Sequence, residues 1–104
     1  MAPGNYIATG KGRTAWKGLM QNPSLQPNCN REGFNAICGG DTRVRIGIVS
    51  NQENDCNTCD SRLGFGGSGA NCGQNPNNTC GNEAYCSPDN GDRSTKAFGY
   101  IFVR

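Results

Sequence analysis

Two stretches of the chain carry a clear strand pattern. In Arg43-Val44-Arg45-Ile46-Gly47-Ile48-Val49, the apolar residues Val44, Ile46 and Ile48 fall on one face, and Arg43 and Arg45 fall on the other. Ala97-Phe98-Gly99-Tyr100-Ile101-Phe102-Val103 is apolar on both faces, with aromatics at 98, 100 and 102. That second pattern predicts a central strand covered on both sides. A sheet built from strands 43–49 and 97–103 would bury Val44, Ile46, Ile48, Tyr100 and Phe102. Trp16, Leu19 and Met20 are spaced as on one helical turn and predict a core anchor within 15–20. Phe34 and Ile37 predict packing beneath the loop between Cys29 and Cys38, and Gly39-Gly40-Asp41 predicts a turn.

The rest of the chain lacks such periodicity. Residues 1–14 are small and polar and read as a loosely held arm. Asn22-Pro23 and Gln26-Pro27 mark turns. Residues 50–96, between the two strands, are almost all Asn, Asp, Gly, Ser and Cys. A long loop region inside a small domain is usually functional, so the candidate chemistry is sought there.

The composition narrows the picture. At 104 residues the chain suits one domain, 1–104, and its 34% apolar content predicts a thin core. Fourteen asparagines and sixteen glycines favour turns. Seven cysteines, at 29, 38, 56, 59, 72, 80 and 86, predict a disulfide framework in an oxidising compartment. Three bridges leave one sulfur over, which is either free or shared with a second chain. The fold class expected is mostly β: a small, disulfide-rich domain with a small sheet and long Gly/Asn-rich loops. The segment Met1–Asn5 has neither the basic nor the apolar part of a leader, so secretion is inferred from the cysteines. No stretch approaches the roughly 20 apolar residues of a membrane span. A net charge of +2 with scattered Arg and Lys gives no nucleic-acid footprint.

Several motifs bear on chemistry. Cys56-Asn57-Thr58-Cys59 lacks the second pair or the histidines of a zinc site, and the chain has no histidine, so structural disulfides are expected. Asp89-Asn90-Gly91-Asp92 lacks the alternating ligands and terminal Glu of a calcium-binding helix–loop–helix and reads as a turn. Asn77-Asn78-Thr79 is a glycosylation sequon. The densest oxygen donors are Ser50-Asn51-Gln52-Glu53-Asn54-Asp55 with Asn57 and Asp60, which suit a calcium ion or, equally, a solvated turn. There is no histidine for general-base work and no nucleophile with an evident base, so an enzyme is not expected.

The C-terminal half, roughly 48–104 with gaps, resembles the intelectins, secreted calcium-dependent animal lectins. Four pieces carry the resemblance: Val49-Ser50-Asn51-Gln52-Glu53; Cys56-Asn57-Thr58 followed by Gly64-Phe65-Gly66-Gly67; Cys80-Gly81-Asn82; and the closing Ala97–Arg104. The resemblance implies calcium ligands at Gln52, Glu53, Asn57 and Asn82. Asp60 stands where that family has a histidine ligand. The family's long N-terminal portion is missing, the segment between Glu53 and Cys56 is much shorter, and Asn82 replaces a family aspartate. The family's aromatic sugar clamp has no clear counterpart, although Tyr85 is near.

These observations predict a secreted lectin-like module rather than an enzyme, in which calcium holds sugar hydroxyls while Tyr85 or Phe65 stacks on the sugar ring. The partner expected is a glycan or glycoprotein. The alternative is a structural extracellular-matrix or biomineral-associated protein that self-assembles, with homo-oligomers joined through the odd cysteine.

Overall fold

The computed structural model describes residues 4–104, and its architecture follows from four successive antiparallel pairings. Strands β1 (Asn28–Cys38), β2 (Thr42–Asn51), β3 (Ser61–Phe65), β4 (Cys80–Ala84) and β5 (Arg93–Lys96) form one sheet in chain order. The turn expected at Gly39-Gly40-Asp41 joins β1 to β2, pairing Cys38 with Thr42. The mostly β, disulfide-rich fold is therefore present, but its strands differ from those expected. β1 covers the segment assigned to a cysteine loop, and β3, β4 and β5 all lie within the supposedly loop-like 50–96.

The missed strands share a physical cause. Arg62, Asn82 and Glu83 are each at most 2% exposed, and they sit where an apolar residue would ordinarily signal a strand. Each is buried because it is hydrogen-bonded. Arg62 donates from Nη2 to the carbonyls of Asn75 (2.9 Å) and Asn78 (2.8 Å), and from Nη1 to Gln74. Glu83 accepts from the Asn75 N–H (3.1 Å), Asn78 Nδ2 (2.8 Å) and Ser94. Polar pairing thus does part of the work of a thin apolar core.

A row of glycines crosses the sheet. Gly33 pairs with Gly47, Gly47 with Gly64, and Gly64 with Gly81. All four have positive φ, from +126° to +158°. A Cβ at any of them would lie closer than 3.0 Å to a backbone oxygen of a neighbouring segment. Only glycine allows that approach. The row coincides with a change of face. Val44 and Val49 are five residues apart and would point oppositely on a flat strand, yet they share one buried cluster with Ala36, Cys38 and Cys59. Ile48 instead joins Trp16, Leu25 and Leu63, with Ile46 packed beside them. The expectation that Val44, Ile46 and Ile48 line one core face is corrected accordingly: Val44 packs in one cluster and Ile48, with Ile46 beside it, in another, so there are two small cores rather than one.

The second core is roofed by a short helix, α1 (Gly12–Lys17), and by Leu25. Trp16 is buried and Met20 half-buried, but Leu19 is 61% exposed, so the expected anchor holds at two of its three residues. Phe34 and Ile37 are also exposed rather than packed under a loop, because they project from β1 at the sheet edge. Within the expected arm, Ile7 exchanges backbone hydrogen bonds with Phe34 at 3.0 and 2.8 Å. Glu32 accepts from the Gly10 N–H (2.8 Å), Thr9 and Trp16 Nε1 (2.6 Å). Those hydrogen bonds outweigh the opposing effect of burial and hold the Glu32 pKa below its ordinary value. Residues 1–3 of that arm lie outside the described residues.

The largest correction concerns the C-terminus. Residues 97–104 form no strand, and Phe98, Tyr100, Phe102 and Val103 are 84, 78, 90 and 88% exposed. Tyr100 and Phe102 are therefore not core residues. The rings at 98, 100 and 102 touch one another in sequence, with centroids 6.3 and 6.4 Å apart.

Three disulfides hold the loops: Cys29–Cys56, Cys38–Cys59 and Cys72–Cys86, with Cys80 free. The Cys56-x-x-Cys59 motif is thus split between two bridges to β1, as a structural reading requires.

Candidate functional site

The oxygen-rich segment forms a tight loop between β2 and β3. Asn51, fully buried at the end of β2, organises it. Its side-chain N–H groups donate to the Asp55 carbonyl, to Glu53 (3.3 Å) and to Thr58 Oγ1 (3.3 Å), while its Oδ1 accepts from the Gln52 N–H at 2.8 Å. Asp55 accepts from both the N–H (3.1 Å) and Nδ2 (2.7 Å) of Asn57, a local turn stabilised by its own side chains. The two disulfides at 56 and 59 fasten the far end of the loop to β1. Gln52, Glu53 and Asn57 are exposed on it.

Asp60 is the half-buried base of this loop. Burial raises its pKa, a Gln26 hydrogen bond lowers it, and the Glu53 carboxylate raises it again, for a net upward shift. Gln26, itself fully buried, braces the arrangement. Its Oε1 accepts from the Asp60 N–H (3.3 Å), and its Nε2 donates to Asp60 (3.5 Å) and to the carbonyls of Tyr85 (2.9 Å) and Cys86 (2.8 Å). The Tyr85 N–H donates to the Asp60 carbonyl at 3.2 Å, which sets the Tyr85 backbone beside that of Asp60. Sequence reasoning missed Gln26 and Asn51 as organisers. No periodicity marks a buried amide, and the only signal was that both adjoin turn residues.

Other predicted residues lie elsewhere. Asn82 is buried on β4, with both amide N–H donors and its Oδ1 engaged within the fold. Its Oδ1 accepts from the Ser24 N–H (2.8 Å), and its Nδ2 donates to the carbonyls of Ser24 (2.8 Å) and Arg62 (3.0 Å). It pins the 24–26 segment onto the sheet. Phe65 ends β3, five residues beyond Asp60 and about 16 Å further along an extended strand. Phe65 and Tyr85 therefore do not flank one site. Phe65 lies instead in a cleft of about 280 Å³ at the other end of the sheet, with Leu19, Met20, Leu63, Cys80 and Phe98 among its walls.

The sulfurs offer no metal chemistry at either place. Cys29, Cys38 and Cys59 come together, as do Asp60, Cys72 and Cys86, but all five cysteines are in disulfides and carry no thiolate. The Asp89–Asp92 segment behaves as a turn, with the Gly91 N–H donating to Pro88. The Asp89 carboxylate is occupied by Arg13, Lys17, Ser24 and the Leu25 N–H.

No protein-family model, curated protein or solved structure matches the chain. Nothing in these comparisons links it to the intelectins, whose likeness remains confined to the four sequence pieces.

Proposed function

We propose that the chain is a secreted glycan-binding module in which the 52–60 loop holds a calcium ion. Glu53 and Asp60 supply the charge, and Gln52 and Asn57 are further oxygen donors on the same loop. Tyr85, whose backbone pairs with that of Asp60, would stack on the apolar face of a sugar. Calcium prefers six to eight oxygen ligands, and the open coordination positions would accept vicinal hydroxyls. Asn82, whose amide is consumed internally, and Phe65, at the far end of β3, are outside this set.

The observation that carries the reading is the disulfide-fastened loop that carries Glu53 and Asp60 together with the exposed oxygen donors Gln52 and Asn57. Two neighbouring carboxylates on a stapled loop repel, and a divalent cation relieves that repulsion. Millimolar calcium should raise the melting temperature, EDTA should reverse the rise, and Asp60→Asn should abolish it. A melting temperature indifferent to calcium in the wild-type chain would remove the metal. Immobilised glycans should then retain the protein in calcium and release it to free sugar or EDTA. Retention that neither agent alters would remove the lectin.

A self-assembling structural protein of the extracellular matrix is the second reading. It is favoured by a different feature, the exposed apolar segment 97–103.

A further inference from the structure

Residues 97–103 have the composition of a buried strand and the environment of a surface one. Phe98, Tyr100 and Phe102 fall on one side of an extended segment, and Ile101 and Val103 on the other. Their exposed surface is on the order of 700 Å², taking about 150–250 Å² for each aromatic side chain. Monomeric soluble proteins rarely leave more than a few hundred Å² of contiguous apolar surface in water.

The cleft at the root of this tail supplies a counterpart. It measures about 280 Å³ and is lined by Leu19, Met20, Leu63 and Phe65 together with Phe98 and Tyr100 at the root of the tail itself. Its floor is open because two residues of the glycine row, Gly64 and Gly81, contribute no side chain. An apolar projection and an apolar recess therefore lie side by side on one patch. A patch carrying both halves of a contact is self-complementary under a two-fold rotation.

We propose that this patch is a homodimer interface in which each copy lays its 98–103 tail across the cleft of a second copy. Two tails would remove on the order of 1,400 Å² from water before the cleft walls are counted. Specific interfaces bury roughly 1,200–2,000 Å² in total, so the area is sufficient. The tail also continues directly from β5, the last strand of the sheet, so an exchanged tail stays anchored in its own domain. Because the two-fold contact closes on itself, the product is a dimer and not a filament. Cys80 lines the same cleft and is the free thiol, so the second tail would cover it.

Sedimentation equilibrium of the full oxidised chain tests the proposal, at 1–100 µM as an order-of-magnitude range for interfaces of this size. A reversible dimer is expected, unchanged by EDTA because the 52–60 loop lies at the other end of β3. The double variant Phe98→Ser, Phe102→Ser should be monomeric and should keep its β-sheet circular dichroism. Alkylation of Cys80 should be at least tenfold faster in that variant than in the wild-type dimer. A wild-type chain that stays monomeric at the top of the range overturns the proposal. So does an open series of larger oligomers, or a folded double variant that still dimerises. Equal Cys80 alkylation rates in dimer and variant would place any dimer contact outside the cleft and overturn it as well.

Discussion

Gly47 and Gly64 stand directly opposite each other on β2 and β3, each with positive φ and each so close to the other strand's backbone that neither can carry a side chain. They are the middle of a four-glycine row that crosses the sheet, where neighbouring backbones approach too closely for side chains.

Gly64→Ala should therefore cost about 2–5 kcal/mol, combining backbone strain with a steric clash that the sheet cannot relieve locally. Urea denaturation measures it. Gly73→Ala is the control: Gly73 also has positive φ, +85°, but a Cβ there meets nothing within 4 Å. It should cost only about 1–2 kcal/mol, the strain alone. Equal losses at the two positions would show that close packing across the row is unimportant.

Asp89 ties α1 to the 24–25 segment. Burial would raise its pKa, but hydrogen bonds from Lys17, the Leu25 N–H, Arg13 and Ser24 prevail and hold it well below the ordinary 3.8. A carboxylate with a depressed folded-state pKa stabilises the fold above its unfolded pKa, and that contribution is lost as pH falls toward the folded value. The melting temperature should fall on acidification below about pH 4. Asp89→Asn should be less stable at neutral pH and show a shallower fall. An unchanged acid slope would mean that the Asp89 contacts contribute nothing to folding.

Asp60 has the opposite sign. Its raised pKa means that ionisation is less favourable in the fold than in the open chain, so its term stabilises progressively as pH falls through the folded value. A bound divalent cation favours the ionised form. Carboxyl-carbon NMR titration should show the Asp60 midpoint moving down on adding calcium, and moving down less on Glu53→Gln alone. If calcium leaves the midpoint in place, Asp60 is not a ligand.

Peptide mapping of unreduced protein should recover 29–56, 38–59 and 72–86 and one alkylatable sulfur, Cys80. Burial raises the Cys80 pKa, so its alkylation should be slow at neutral pH. Replacing Cys72 and Cys86 together by Ser should cost about 3 kcal/mol, the loop-closure entropy of a loop near 15 residues. Any other pairing would require a different route for the loops over the sheet.

The disulfide-rich β class was legible from cysteine density, turn residues and strand 43–49. β2 was found because Val44, Ile46 and Ile48 alternate with arginines. β3 and β4 were not, because Arg62, Asn82 and Glu83 are buried by polar pairing, which leaves no hydrophobic alternation. A signal was present in another form: Glu32-Gly33-Phe34, Ile46-Gly47-Ile48, Leu63-Gly64-Phe65 and Cys80-Gly81-Asn82 each place a glycine mid-strand, and these four align across the sheet. The tail misled for a related reason. An apolar pattern on both faces states that a segment needs cover, not that its own chain supplies it. At the candidate site, the gathering of oxygen donors on one loop was legible from the run 50–55 with Asn57 and Asp60. The separation of Phe65 from Tyr85 was not, since it depends on the register of β3 against β4.

The interleaved bridges Cys29–Cys56 and Cys38–Cys59 also govern how the molecule responds to tension. A meander pulled by its ends peels one strand at a time from an edge. Here β5 is the edge strand without a covalent tie, and it detaches first. Peeling then meets Cys72–Cys86, whose closed loop contributes no length. The 29–59 segment cannot be extended at all while its bridges are intact. Under load residues 60–71 and 87–104, which no bridge encloses, can be drawn out, whereas 29–59 and 72–86 lengthen only after reduction.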